Sequence, residues 1–238
     1  MEQFVDFTKI PTHKKRIKID IGLSYYAPHT QNWFENDNKD DSLYVFGFEP
    51  NKFNCEIINN KNIKKRERDG DGKALSDEFI NTDHFQLIPV ALSDKTGFLD
   101  FYCTNLYSCS SLYYPIDNGI GPIIEITKVP VFTLKNFFDL FDWNRFPIIE
   151  YIKIDAQGAD LDILIGAENY LQERVVYITA EPESRQYNNC QHNTAENMNN
   201  YLESKGFIPI NHPNTVDPTF INKNFIHLKD SIYIFQDS

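Results

Sequence analysis

Three apolar, β-branched stretches of the chain each run into an acid: Asp20 just before Gly22, Glu49 after the run 44–48, and Asp155 at the end of the run 148–155. A carboxylate at the end of a buried strand can accept hydrogen bonds from ribose hydroxyls or take a proton from a reacting group. In an open parallel sheet, ligands bind beyond the carboxyl ends of the strands, near the point where strand order reverses, so the loops carrying these acids should converge. Taken singly, each acid is as well read as a solvated strand end. Three together favour a site. Glu49 stands 27 residues beyond Gly22, room enough for an intervening helix, and an acid so placed holds the ribose in this fold class.

The glycine pattern separates one nucleotide cofactor from another. A dinucleotide seat asks for three glycines around a tight turn, but the chain reads Gly22-Leu23-Ser24-Tyr25-Tyr26-Ala27, with the first Gly kept and a small residue only at the last place. The seat for a pyrophosphate is missing, and no G-x-x-x-x-G-K-[ST] phosphate loop occurs. S-adenosylmethionine, which carries an adenosine and no phosphate, needs neither. The Glu49 carboxylate is expected to be solvated in the ligand-free protein, so that its removal costs binding and little stability.

The elements that must position these acids alternate along the chain. A strand over 16–22 leads to a helix over 28–36, with Pro28 in its first turn and Trp33 and Phe34 facing inward. A second strand, 44–48, is stopped by Glu49-Pro50, and Asn51 can cap a helix reaching Ile58. Residues 59–83 turn polar and aperiodic, which predicts a surface insertion. The apolar pattern resumes at 85–92, and the turn residues 93–97 followed by 98–102 predict a hairpin-like addition. Thr133 caps a helix whose Leu134, Phe137, Phe138 and Phe141 share one face. After Asp155, Gly158 turns the chain into a helix carrying Leu161, Leu164, Ile165 and Leu171. A strand over 175–180 ends at Glu181, and Thr194 caps a helix with Ala195, Met198, Tyr201 and Leu202 inward, closed by Gly206. The stretches 207–210 and 231–235 are expected to form a closing antiparallel pair. Such alternation predicts an α/β, Rossmann-like fold with a mostly parallel sheet and helices on both faces.

With 238 residues, 41% of them apolar and 24% charged, the chain suits one domain over 1–238. Lys and Arg number 23 against 34 Asp and Glu, a net charge of −11 that repels phosphate backbones, so nucleic acid is not an expected partner. The basic runs Lys14-Lys15-Arg16 and Lys64-Lys65-Arg66 read as solvated loops. No apolar run approaches the ~18 residues of a membrane span, and the start Met1-Glu2-Gln3-Phe4-Val5-Asp6 is no signal sequence, so the expected location is cytoplasmic. Cys55, Cys103, Cys109 and Cys190 are scattered, without a C-x-x-C pair, and read as free thiols.

Five segments in order resemble the FkbM family of S-adenosylmethionine-dependent methyltransferases. They are Ile19-Asp20-Ile21-Gly22, Gly47-Phe48-Glu49-Pro50-Asn51, Pro89-Val90-Ala91-Leu92-Ser93-Asp94, Val129-Pro130-Val131-Phe132-Thr133-Leu134, and Ile152-Lys153-Ile154-Asp155-Ala156-Gln157-Gly158-Ala159-Asp160. Ser110-Ser111-Leu112 matches a serine-containing loop common in the family. The resemblance implies a class I methyltransferase fold in which Asp20, Gly22 and Ser24 lie by the methionine end of the cofactor. It further implies that Glu49 holds the ribose, that Ala91 to Asp94 pass near the adenine, and that Asp155 faces the transferred methyl. The chain departs from the common pattern at Ser24 and Tyr26, where Asn and a second Gly are usual, and at Gln157, where Glu is usual.

Methyl transfer from a sulfonium is an in-line displacement, so the protein has to align donor and acceptor and remove the acceptor's proton. By the resemblance, the acceptor is a hydroxyl of a sugar, glycan or other small metabolite. Asp155 and Glu181 are the candidate catalytic acids, and as neighbouring strand ends they can also be read as ligands of Mg²⁺ or Mn²⁺ that would acidify the acceptor hydroxyl. His29, His84, His192 and His212 are alternative bases, and Tyr25, Tyr26, Tyr113 and Tyr114 can line an acceptor pocket. The competing readings are a non-catalytic cofactor-binding or interaction module on the same fold, and a nicotinamide-dependent oxidoreductase, which the missing glycines disfavour.

Overall fold

Residues 43–48, 149–154 and 175–180 are buried at every position, as parallel strands covered on both faces must be. The computed structural model describes residues 1–59, 83–116, 118–210 and 216–234. Its strands are β1 (Arg16–Ile21), β2 (Leu43–Phe48), β3 (Phe85–Ile88), β4 (Ala91–Leu92), β5 (Gly97–Thr104), β6 (Ile123–Phe132), β7 (Ile149–Ile154), β8 (Val175–Ala180), β9 (Phe207–Pro209) and β10 (Thr219–Asn222). Its α-helices are α1 (Pro28–Asn36), α2 (Lys52–Asn59), α3 (Leu134–Phe138), α4 (Asp160–Ile165), α5 (Tyr170–Arg174) and α6 (Ala195–Ser204). None is long and apolar enough to cross a membrane.

The main sheet runs β3-β2-β1-β7-β8-β10-β9, parallel from β3 to β8, with β10 antiparallel to both of its neighbours. From β1 the chain builds outward to β2 and β3, then returns to β7 on the other side. Strand order therefore reverses between β1 and β7, which makes their carboxyl ends the ligand crevice of this class. Ile17, Ile19 and Ile21 pack on one face against Phe137, Phe138, Ile163 and Met198. The opposite face holds Trp33, Phe34, Ile57 and Ile58, contributed by α1 and α2. This is the expected Rossmann-like arrangement, with helices on both faces and an antiparallel closing strand.

Five local expectations are corrected. The closing pair is β9 with β10, not 207–210 with 231–235, because Thr219 and Asn222 bury their polar groups against the sheet and α5. Thr219 Oγ1 lies 2.7 Å from Thr179 Oγ1, and Asn222 Nδ2 donates to the carbonyls of Leu171, Gln172 and Val175. The 93–102 segment does not fold back on 85–92: β5 pairs antiparallel with β6, and β4 pairs parallel with the far end of β6, in a separate sheet ordered β4-β6-β5. The helix expected from Gly158 to Leu171 is two short ones. It breaks at Gly166, where a β-carbon would stand 2.3 Å from the Ser93 carbonyl oxygen, and it buries Ile163 while Ile165 is exposed. Lys14 and Arg16 are no solvated loop: Lys14 is fully buried with its Nζ on Asp41, and Arg16 pairs with Asp37 and Glu150. Ala195 is exposed. Most of the insertion at 59–83, with Lys64-Lys65-Arg66, lies outside the described residues, as does His212.

Candidate active site

The ends of β1, β2 and β7 are tied together by backbone. Gly22 N–H donates to the Phe48 carbonyl at 2.9 Å, and Asp155 N–H donates to the Ile21 carbonyl at 3.0 Å. Gly22 has φ +73°, and a β-carbon there would stand 1.9 Å from the Asp155 carbonyl oxygen. Only glycine permits so close an approach in that conformation.

Two adjoining clefts open along this seam. The first has Glu49, Asp155 and Gln157 among its polar walls and Ala91, Leu92 and Phe101 among its apolar ones. The second, the roomier of the two, is lined by Asp20, Tyr26, His29 and Lys153 among others. Gly22, Ser24, Ser108 and Asp155 line both. The structure thus brings Asp20, Gly22, Ser24, Glu49, Ala91 and Asp155 to one crevice.

Glu49 is only 4% exposed, which corrects the expectation of a solvated carboxylate. Its Oε2 accepts from the Ser24 N–H at 2.9 Å and its Oε1 from the Asn51 N–H at 2.7 Å. Burial pushes its carboxyl up to about 7, against the pull of these hydrogen bonds. Ser24 has φ +53°, a left-handed conformation uncommon for a side chain. Its Oγ is buried without a hydrogen-bond partner, although Ser24 lines both clefts. Buried hydroxyls are nearly always paired in folded proteins, so one without a partner on the wall of a cleft fits a ligand group. Asp20 faces the second cleft while its Oδ2 accepts from the N–H and Oγ1 of Thr30 at 3.2 and 2.6 Å. It thereby fixes the first turn of α1, and burial raises its carboxyl to about 6.

Asp155 and Glu181 come together, their carboxyls sharing a hydrogen bond, with the Gln157 amide beside them. Gln157 Nε2 donates to Asp155 Oδ1 at 2.7 Å and reaches Glu181 Oε2 at 3.5 Å. Burial first, then the nearby Asp155, Asp160 and Asp217, push the Glu181 carboxyl up to about 9. Asp160, whose carboxylate accepts from the Ala156 and Glu181 N–H groups, is raised to about 7 by burial and by Asp155. Glu181 is half-buried and is not among the residues that line these two clefts. Two acids alone do not make a hard-cation site, which takes about six oxygen ligands, and the Gln157 amide nitrogen beside them is a donor, not a ligand. Among the described residues no group of three or more His, Cys, Asp or Glu side chains is placed to hold a metal.

The candidate bases separate clearly. His29 is buried against the second cleft, and burial, then Lys153, depress its imidazole to about 3, so it is neutral and weakly basic. His84 sits with Lys14 and Asp41, and His192 bonds Asp162 Oδ1 at 2.7 Å. Tyr26 lines the second cleft with its ring 4.2 Å from that of Tyr25. Tyr113 donates to Asp162, and Tyr114 stacks edge-on against Tyr102.

Three structural roles escape sequence reasoning, although Ser110 and Gln157 themselves stand out in the sequence. Tyr107, Ser108 and Ser110 form one wall of the first cleft, in a loop whose role only the fold reveals. Lys153, which points off β7 into the second cleft, pairs with Asp217 at 2.6 Å. Gln157, at φ +53°, anchors both neighbouring loops: its carbonyl accepts from Ser111 Oγ, and its Oε1 accepts from the Tyr187 hydroxyl, each at 2.7 Å.

The family model described as the methyltransferase FkbM domain matches residues 20–209. No curated protein and no solved structure matches the chain.

Proposed function

The chain belongs to the FkbM methyltransferase family, and we propose that it moves the methyl group of S-adenosylmethionine to a hydroxyl of a sugar, glycan or other small metabolite. The observation that carries the cofactor assignment is the unpaired, buried Ser24 Oγ at the junction of the two clefts, with Glu49 on one side and Asp155 on the other. Bound there, the cofactor supplies a methyl group already activated on a positively charged sulfur. Glu49 takes the ribose hydroxyls, and Ala91, Leu92 and Phe101 cover the adenine. Ser24 and the acids near it face the methionine end.

Asp155 lines both clefts and so stands between donor and acceptor. It orients the acceptor hydroxyl and takes its proton as the methyl moves. Neutral His29 is too weak a base for that task and serves the second cleft as a hydrogen-bonding wall. Tyr26 offers an aromatic face to the acceptor. Calorimetric titration of the full chain with S-adenosylmethionine, S-adenosylhomocysteine and NAD tests the reading. The two sulfur compounds should bind and NAD should not, and Ser24→Ala should weaken them roughly five- to tenfold, the loss of one hydrogen bond. Binding of NAD alone would overturn the proposal. An Asp155→Asn variant that still binds the cofactor but transfers no methyl to any hydroxylated acceptor active with the wild type would separate an enzyme from a mere binding module.

A further inference from the structure

We propose that Gln157 is a positioning residue of the transfer site, its amide held against Asp155 and Glu181 by the Tyr187 hydroxyl. The inference rests on the reading of Asp155 as the residue between donor and acceptor. Its geometric basis is separate. One nitrogen, Nε2, faces both acids, at 2.7 Å from Asp155 and 3.5 Å from Glu181, while Oε1 accepts from Tyr187 at 2.7 Å. An amide is the one uncharged side-chain end that can donate to two carboxylates and accept from a phenol at once. A carboxylate at position 157 could still accept from Tyr187 through one oxygen but would turn the other, negatively charged, toward Asp155 and Glu181.

The placement is held from several directions. Gln157 adopts φ +53° ahead of Gly158 at +94°, a conformation a side chain keeps only where its surroundings impose it. Ser111 Oγ holds its carbonyl. Tyr187 also donates to the Cys109 carbonyl at 2.9 Å, and the Ile116 and Asn188 N–H groups bond the Gln186 and Tyr114 carbonyls at 2.9 and 2.7 Å. The 105–116 loop, which walls the first cleft, is thus zipped to the segment after β8, and Gln157 pins both to the end of β7. One side chain sets the orientation of Asp155 and fastens the wall beside it.

The test compares wild type, Gln157→Glu and Gln157→Met, each as the full chain at pH 8, by thermal melts with and without Mn²⁺ and by the electron paramagnetic resonance signal of free Mn²⁺. Wild type should neither bind Mn²⁺ nor change its Tm on addition. Gln157→Glu, which keeps the acceptor for Tyr187 but replaces the donor to Asp155 by a negative charge, should melt roughly 5 °C lower, bind one Mn²⁺ per chain and recover its Tm with the metal. Glu181→Gln added to Gln157→Glu should abolish that binding. Gln157→Met, lacking donor and acceptor, should melt lower with or without Mn²⁺. Stoichiometric Mn²⁺ binding by wild type that Glu181→Gln removes would overturn the proposal, as would a Gln157→Glu variant that melts like wild type or binds no Mn²⁺. Titration of wild type with S-adenosylmethionine in the same buffer keeps the two readings apart: failure there sinks the cofactor assignment, whatever Mn²⁺ does.

Discussion

Glu49 is a carboxyl whose two oxygens already hold backbone N–H groups, from Ser24 and Asn51, and it is almost fully buried. Removing it therefore affects two things at once. Glu49→Ala strands two donors, each costing about 1–3 kcal/mol when left unsatisfied, so we expect both a lower Tm and a cofactor affinity reduced roughly ten- to several-hundredfold. Glu49→Gln keeps one acceptor oxygen and should lose affinity with a smaller Tm change. Matched titrations and melts distinguish the cases, and unchanged affinity in both variants would remove Glu49 from the cofactor site. The raised carboxyl adds a pH dependence. With a ligand-free value of about 7, Glu49 is largely protonated at pH 6, whereas ribose hydroxyls bind best to its ionised form. Affinity should thus fall on going from pH 8 to pH 6, by at most about tenfold per pH unit below 7, and Glu49→Gln should flatten the profile.

The start of β1, the end of α1 and the tail after β10 meet at one buried ion cluster, and this junction holds elements far apart in sequence. Lys18 Nζ is fully buried, donates to Asp37 Oδ2 at 2.5 Å and to the Tyr233 carbonyl at 2.8 Å, and lies 5.2 to 5.8 Å from the ring centres of Trp33, Tyr151 and Tyr233. Arg16 joins through Asp37 and Glu150. Asp37→Ala leaves two cations without a shared partner and should cost about 3–5 kcal/mol in urea unfolding. Tyr233→Ala keeps the carbonyl acceptor and should cost less; equal stability of Asp37→Ala and wild type would show that the cluster does not hold these elements. This junction also explains what was legible in the sequence. β1, β2, β7 and β8 read clearly because burial on both faces makes their apolar runs continuous. The stretch 231–234 looks like a strand for the same reason, but its apolar groups cover Lys18 and α1 instead of pairing. β10 was hidden because Thr219 and Asn222 look like loop residues until their partners on β8 and α5 are in place. At the site, strand-end acids were legible by position. Which of them face the cleft depends on Gln157 and the 105–116 loop, whose contacts cross 30 to 78 residues of sequence.

For the molecule as a whole, the crevice and the acids packed beside it concentrate carboxyls that are harder to ionise in the folded chain than in the unfolded one: Asp20 to about 6, Glu49 and Asp160 to about 7, and Glu181 to about 9, all raised chiefly by burial. The sign of the consequence follows from proton counting. Between about pH 4 and each folded value, the native state keeps a proton that the unfolded chain has released, so rising pH favours unfolding. His29 works the other way, because its imidazole, depressed to about 3, makes the native state the less protonated one up to about pH 6.5. Three or four carboxyls outweigh His29 and His84 below pH 6.5, and above it Glu181 works against the depressed Lys18 and N-terminal amine. A net charge of −11 adds self-repulsion of the same sign toward alkaline pH. We therefore expect the ligand-free protein to melt highest near pH 4 and a few degrees lower, about 5 °C, at pH 8.5. A cationic ligand seated among these acids offsets the repulsion, so S-adenosylmethionine should raise Tm more at pH 8.5 than the uncharged sulfide S-adenosylhomocysteine does at equal saturation. Melts across pH with each compound decide this: a Tm that climbs steadily to pH 8.5, or identical gains from the two ligands, would mean that the acids of the crevice are already neutralised within the fold and that the site does not sense the charge on sulfur.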